Sequence, residues 1–239
     1  MAYTDNEKLR VVYGDFTLGV HGEGFSYIFS YAQGGLESIV KDGYEWLFRC
    51  PKPTFWRALT DNDRGSKFHI KSGHWLAADM FIDCQDITVI MDGAVQNCKA
   101  PDNNSYGGDV SANEITVKYL YKTISVPSTT VIVSYTVNPS GKIKVDVHYD
   151  GKKDLPELPV FGMRFILPTV AEKYIYKGLS GETYPDRKAG AQQGVFEVTD
   201  LSLTPYIVPQ ECGMRMDTEW LEVIRRTSLN RGKTDGSRH

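Results

Sequence analysis

Four runs of strict two-residue alternation constrain this chain more than any other feature. Phe25, Tyr27, Phe29 and Tyr31 alternate with Ser26, Ile28 and Ser30, and Ile115, Val117, Tyr119 and Tyr121 repeat the pattern. Val131, Val133, Tyr135 and Val137 form a third run; Ile143, Val145, Val147 and Tyr149 form a fourth, opposite Lys142, Lys144, Asp146 and His148. Successive strand side chains point to opposite faces, so each run offers one apolar face to a core. Turn chemistry separates the runs: Lys41-Asp42-Gly43, Asn138-Pro139-Ser140-Gly141 and Asp150-Gly151. Apolar stretches at 160–167 and 204–208 extend the series. Helical pattern is scarce; Ser72 followed by 74–80 predicts one short helix. The fold class expected is all-β, a large antiparallel sandwich of two packed sheets.

Length and charge narrow the function classes. At 239 residues the chain is long enough for one large domain, expected over 1–224. The fifteen residues 225–239 carry five basic side chains and one aliphatic, Leu229, and are expected to be a disordered tail. Residues 96–113, rich in Asn, Gly, Asp and Ser, are expected to form a long exposed loop. A net charge of −3 argues against a nucleic-acid footprint, and no apolar run approaches a membrane span. The N-terminus lacks the apolar stretch of a secretory signal. Cys50, Cys84, Cys98 and Cys212 have no CxxC spacing, so reduced thiols and a cytoplasmic location are expected.

Three polar segments between the strands are the candidates for chemistry. The first runs Phe55-Trp56-Arg57-Ala58-Leu59-Thr60-Asp61-Asn62-Asp63-Arg64-Gly65. Its Asp-Asn-Asp core invites a Ca²⁺ loop, but an EF-hand would place Glu where Ser72 stands. An Asx-turn, with Arg57 satisfying the acids, is the plainer reading. The second segment spans Gly178 to Arg187 and contains Glu182, Tyr184, Asp186 and Arg187. The third runs Thr204 to Arg215 and contains Pro209-Gln210-Glu211. Carboxylates, guanidinium groups and Tyr suit sugar hydroxyls, yet pairs such as Glu182–Arg187 or Glu211–Arg215 are equally available and contribute little.

Taken in order, Arg57-Ala58-Leu59-Thr60-Asp61-Asn62-Asp63-Arg64-Gly65, the Tyr184-Pro185-Asp186-Arg187 ending and Pro205-Tyr206 with Pro209-Gln210-Glu211-x-Gly213 carry a resemblance. Together they resemble the small subunit of two-chain bacterial β-galactosidases, equivalent to the C-terminal domain of long single-chain enzymes in glycoside hydrolase family 2. The resemblance runs from about Leu9 to Glu222. It implies a supersandwich of the galactose mutarotase kind, and a partner. Retaining glycosidases use two carboxyl groups about 5–5.5 Å apart. The resemblance assigns both to a (β/α)₈ barrel on the large subunit, with Mg²⁺ and Na⁺ beside them, so no catalytic residue, cofactor or metal ligand is expected here.

By the same resemblance this chain supplies a wall and a mobile edge of the active-site mouth for a galactoside such as lactose. Arg57, Asp61, Asn62, Asp63, Arg64 and Gly65 would form a substrate-proximal loop or interface, with Gly65 as hinge and Ser66–His69 moving. Tyr184, Asp186, Arg187 and Glu211 would be structural or interface groups. The family's C-terminal part, which carries a sugar-stacking aromatic, implies a longer chain than this; missing strands would leave an edge open to self-association.

Two other readings compete. A stand-alone aldose mutarotase would use His148 as acid and Glu211 as base. A carbohydrate-binding sandwich without catalysis would use aromatic platforms, for which Trp56 and Trp75 stand outside the regular strands.

Overall fold

Alternation in the sequence becomes alternation in burial. A computed structural model of the chain describes residues 8–97, 110–182, 188–199, 210–211 and 213–226. The first sheet contains β1 (Leu9–Tyr13), β2 (Thr17–Gly22), β3 (Phe25–Ser30), β4 (Gly35–Lys41), β5 (Tyr44–Glu45) and β9 (Val110–Ala112), in the order β5-β4-β3-β2-β1-β9. The second contains β7 (Asp83–Met91), β8 (Ala94–Gln96), β10 (Ile115–Lys122), β11 (Thr130–Val137) and β12 (Ile143–Tyr149), ordered β12-β11-β10-β7-β8. Every pairing is antiparallel. A short pair joins β6 (Lys52–Thr54) to β13 (Gly162–Arg164).

The inner faces of the two large sheets share one core. Leu18, Val20, Tyr27 and Phe29 from the first meet Val117, Tyr119, Val133 and Tyr135 from the second. All the apolar members of the β10 and β11 runs are fully buried. In β12, the last strand of its sheet, Ile143 to Tyr149 are half-buried and alternate with exposed neighbours. Three of the core tyrosines donate their hydroxyls across the sandwich, whereas the buried Tyr135 hydroxyl has no hydrogen-bond partner among the described residues. Tyr119 donates to the Gly35 carbonyl at 3.2 Å, Tyr121 donates to that of Gly34, and Tyr27 donates to that of Gly141 at 2.6 Å. Buried aromatics of this kind supply large apolar area provided the hydroxyl finds an acceptor. The antiparallel sandwich expected from the alternation is therefore the observed architecture.

Two of the three expected turns form where they were read, at Asp42-Gly43 and at Asn138–Gly141; after Asp150 the turn falls at 153–154, where Asp154 and not Gly151 takes a positive φ. Asp42 and Gly43 both take positive φ (52° and 81°) between β4 and β5, as do Asp92 and Gly93 (46° and 81°) between β7 and β8. Two consecutive left-handed residues define the type I′ turn whose twist suits adjacent antiparallel strands. Asn138 builds its own turn, its side-chain oxygen accepting from the Ser140 amide at 3.1 Å.

The expected helix from Ser72 through Met80 does not form. Ser72 instead closes a short helix, α2 (Phe68–Lys71), and Ala77 adopts φ +62°, which no right-handed helix accommodates. Only one 3-10 turn, Gly73–Trp75, occupies that stretch. The apolar residues there serve a tertiary purpose: Trp75 is 1% exposed, stacked on Phe55 at 5.5 Å, with its indole N–H donated to the Pro156 carbonyl at 3.0 Å. Trp75 is thus a core residue and not a sugar platform; Trp56 is half-buried against the same core.

Chain contacts divide the molecule into two compact units. One comprises the sandwich, from the N-terminal strands through Trp56 and again over His74–Pro168. The other joins Arg57–Gly73 to the described residues beyond Thr169. It contains α1 (Asp61–Gly65), α2 and a three-stranded sheet of β14 (Lys173–Leu179), β15 (Gln193–Val198) and β16 (Trp220–Ile224), with β14 in the centre. Residues 98–109, 183–187, 200–209 and 227–239 lie outside the described set, so most of the expected loop and tail, and the run at 204–208, fall there.

Candidate functional site

The polar segment beginning at Arg57 folds as a helix and not as the loop expected. Thr60 is the N-cap of α1: its hydroxyl accepts from the Asp63 amide at 3.2 Å, and Asp63 accepts from the Thr60 amide at 2.8 Å. This reciprocal capping box satisfies two amides that a short helix would otherwise leave unbonded. Asp61 and Asp63 occupy the first turn, where negative charge is favoured, and Arg64 occupies the last. Gly65 ends the helix without a positive φ; the left-handed residue is Lys67, at φ 58°, between α1 and α2.

Both acids already have guanidinium partners. Arg57 grips Asp63 with two bonds, Nη1–Oδ2 at 2.6 Å and Nη2–Oδ1 at 3.2 Å, and the Asp63 side chain is 14% exposed. Arg64 meets Asp61 at 2.7 Å on a more open face, each side chain 38% exposed. Among the described residues no group of three or more His, Cys, Asp or Glu is placed to hold a metal. Arg57 satisfies Asp63 as the plainer sequence reading had it, but Asp61 pairs with Arg64 and a helix capping box stands in place of the Asx-turn.

The Arg57 fork holds the Asp63 carboxyl down to about 2 from an ordinary 3.8; burial opposes the shift and the Thr60 bonds reinforce it. A carboxyl depressed on folding stabilises fully above its unfolded value, and loses that contribution as pH falls through the folded one. We predict that Asp63→Asn costs roughly 1–2 kcal/mol at pH 7 after solvent screening. Denaturant melts should show this gap closing between pH 4 and 2. A gap still open at pH 2 would detach the stabilisation from the ion pair.

The third sequence segment braces the first. Glu211 Oε2 accepts from the Ala58 amide at 3.1 Å, while the Glu211 amide donates to the Leu59 carbonyl at 2.9 Å. Gln210 Oε1 accepts from the Asp61 amide at 3.2 Å. Two of the three candidate segments, separated by about 150 residues, are thereby joined in one unit. Arg215 does not pair with Glu211; it lies over the Tyr176 ring at 5.8 Å and donates to the Met214 carbonyl at 3.2 Å. Tyr184, Asp186 and Arg187 lie outside the described residues.

His148 is engaged by its near neighbour Asp150, and Glu211 by the distant Ala58 and Leu59. His148 sits on the outer face of β12, 70% exposed and 2.9 Å from Asp150, as the alternation predicted. Three features escaped the sequence reading: the bracing by Gln210, the Thr60 cap and a buried carboxylate, Glu45. The Thr60-x-x-Asp63 spacing could have disclosed the cap. Nothing local distinguishes Glu45 from a surface glutamate. Cys50 is a buried thiol that donates to Gln33 Oε1 at 3.4 Å, and Cys84 is a half-buried one; neither is in a disulfide. No helix among the described residues is long and apolar enough to cross a membrane.

These features define a chain with an all-β sandwich unit and a second unit in which a polar segment is braced by its own side chains and by Gln210 and Glu211. The beta galactosidase small chain family matches residues 21–233, and the chain belongs to that family. It is 57% identical to the β-galactosidase small subunit of Latilactobacillus sakei over 226 residues, which cover 94% of this chain and 71% of that one. A β-galactosidase of Clostridium acetobutylicum is 36% identical over 198 residues, 82% of this chain and 20% of the relative. Another, from Halalkalibacterium halodurans, is 34% identical over 222 residues, 90% of this chain and 20% of its own length. The chain thus spans about a fifth of these longer relatives. Membership places it among the subunits of glycoside hydrolases.

Proposed function

We propose that this chain is the small subunit of a heteromeric, cytoplasmic β-galactosidase that hydrolyses terminal β-D-galactosides such as lactose. In this reading the catalytic glutamates, and the Mg²⁺ and Na⁺ beside them, belong to the large subunit. The contribution of the small subunit is shape and positioning: α1 forms an edge of the active-site mouth.

The observation that carries this reading is the bracing of α1. Holding a five-residue helix in place takes a capping box, an Arg57 fork and two side chains from 150 residues away. A solvent-exposed turn with no positional duty needs none of this, whereas groups placed against a reacting sugar must be held to fractions of an ångström. Tyr184, Asp186 and Arg187 belong, in the same reading, to the polar surroundings of the interface.

The test is hydrolysis of a chromogenic β-galactoside by this chain, by its large subunit, and by the two mixed. Turnover in the mixture alone is expected; turnover by this chain alone would refute the assignment. Asp61→Ala then separates position from architecture. Its exposed pair with Arg64 contributes under about 1 kcal/mol, so the melting curve should barely move. Activity of the mixture should nonetheless fall by an order of magnitude or more. Unchanged activity with Asp61→Ala would remove α1 from the active-site edge.

A further inference from the structure

The sandwich unit contains a cleft of about 290 Å³ whose lining includes Gln33, Arg49, Lys52, Asp79, Met80 and Arg164. Three cations face a single carboxylate there. Asp79 is 3.4 Å from Arg164, whose other guanidinium nitrogen donates to the Thr54 hydroxyl at 2.9 Å and the Trp56 carbonyl at 3.1 Å. Lys52 donates to two neutral carbonyls, Gln33 at 2.7 Å and Gly34 at 3.2 Å, and stands 5.1 Å from the Tyr121 ring centroid. Its partners leave its charge uncompensated, and burial lowers its pKa. Arg49 is exposed at the mouth.

Such an excess is not a general property of this surface, because the whole chain carries a net charge of −3. Beside the cations, Met80 lines the cleft while remaining 75% exposed, and Phe81, next in sequence, is 61% exposed. Arginine, methionine and an aromatic side by side form the composition enriched at the centres of protein interfaces. A free carboxylate entering the cleft would meet the exposed Arg49 and the half-buried Lys52, both able to form charge-assisted bonds.

We infer that this cleft docks the large subunit, which inserts an acidic side chain between Arg49 and Lys52 while its apolar surface covers Met80 and Phe81. The inference rests on the small-subunit reading and names the surface that reading requires. The occupant follows from the lengths: in the long single-chain relatives the matching region is about 20% of the polypeptide, joined covalently to the remainder. A separate chain must obtain the same attachment from its surface.

The experiment titrates wild type, Arg49→Glu and Met80→Asp into a fixed amount of large subunit. It reads galactoside turnover, and association separately by sedimentation. Both substitutions are at exposed positions, and unchanged melting curves are expected for both. Saturating turnover should stay at the wild-type level, while the half-saturating concentration rises at least tenfold for Arg49→Glu and severalfold for Met80→Asp. Raising salt should weaken wild type more than Arg49→Glu. Wild-type half-saturation for both variants would overturn the docking surface and leave the small-subunit reading standing. Failure of wild type to associate with the large subunit would sink both. Loss of a wild-type homodimer in the variants, with an unaltered titration, would make a second copy of this chain the occupant and overturn the inference.

Discussion

Trp75→Ala should lower the melting temperature of the chain by roughly 10 °C, with a stability loss of about 3–5 kcal/mol. Trp75 is 1% exposed and stacks on Phe55 with an interplanar angle of 16°. Tyr149 meets it edge-on at 6.3 Å, and Phe161 packs against both Phe55 and Tyr149. Removing the indole leaves a void that three neighbouring rings cannot collapse to fill, and leaves the Pro156 carbonyl without its donor. Trp75→Phe should recover much of the loss, because a ring is retained. Heat denaturation followed by circular dichroism distinguishes this from a sugar platform, for which stability would hold while galactoside affinity fell. A melting curve unchanged by Trp75→Ala would contradict the core assignment.

Glu45→Ala should cost about 3 kcal/mol, an effect unusual for a single glutamate. The side chain is 4% exposed, and its Oε1 accepts from the amides of Ile39, Trp46 and Leu47 at 3.0, 2.9 and 2.8 Å. Ser38 donates its hydroxyl to Oε2 at 2.5 Å. Burying a carboxylate is costly unless its oxygens are bonded, and here the donors come from both sides of the β4–β5 hairpin. Alanine deprives these donors of their shared acceptor. Glutamine keeps a carbonyl oxygen for the three amides, so Glu45→Gln should cost nearer 1 kcal/mol. Denaturant titration of both variants decides the point: equal losses would mean that the charge, and not the acceptor geometry, holds the hairpin.

Local patterns proved reliable where a single segment carries the physics. The faces of β3, β10, β11 and β12 were legible because a strand side chain's orientation is decided by parity alone. Asp42-Gly43 was legible because glycine and aspartate tolerate positive φ better than most residues. The stretch after Ser72 misled because its apolar residues suggested a helix face. Ala77 instead turns the chain so that Trp75 and Ala78 reach the sandwich core. Core burial of the indole evidently outweighs the cost of one left-handed alanine.

For the candidate site, the sequence by itself determined which residue types were present, their order, and through that order the family. It also limited the options for Asp61 and Asp63 to a cation, a turn or a nearby guanidinium. Tertiary structure decided among them, because an acid's partner depends on which groups approach it in space. Arg57 and Arg64 are near in sequence, but Gln210 and Glu211 reach Asp61 and Ala58 from about 150 residues further along the chain. The same holds for Glu45, which is indistinguishable from a solvated glutamate until the hairpin closes around it. Periodicity encodes which way a side chain faces; only the assembled fold determines what it meets there.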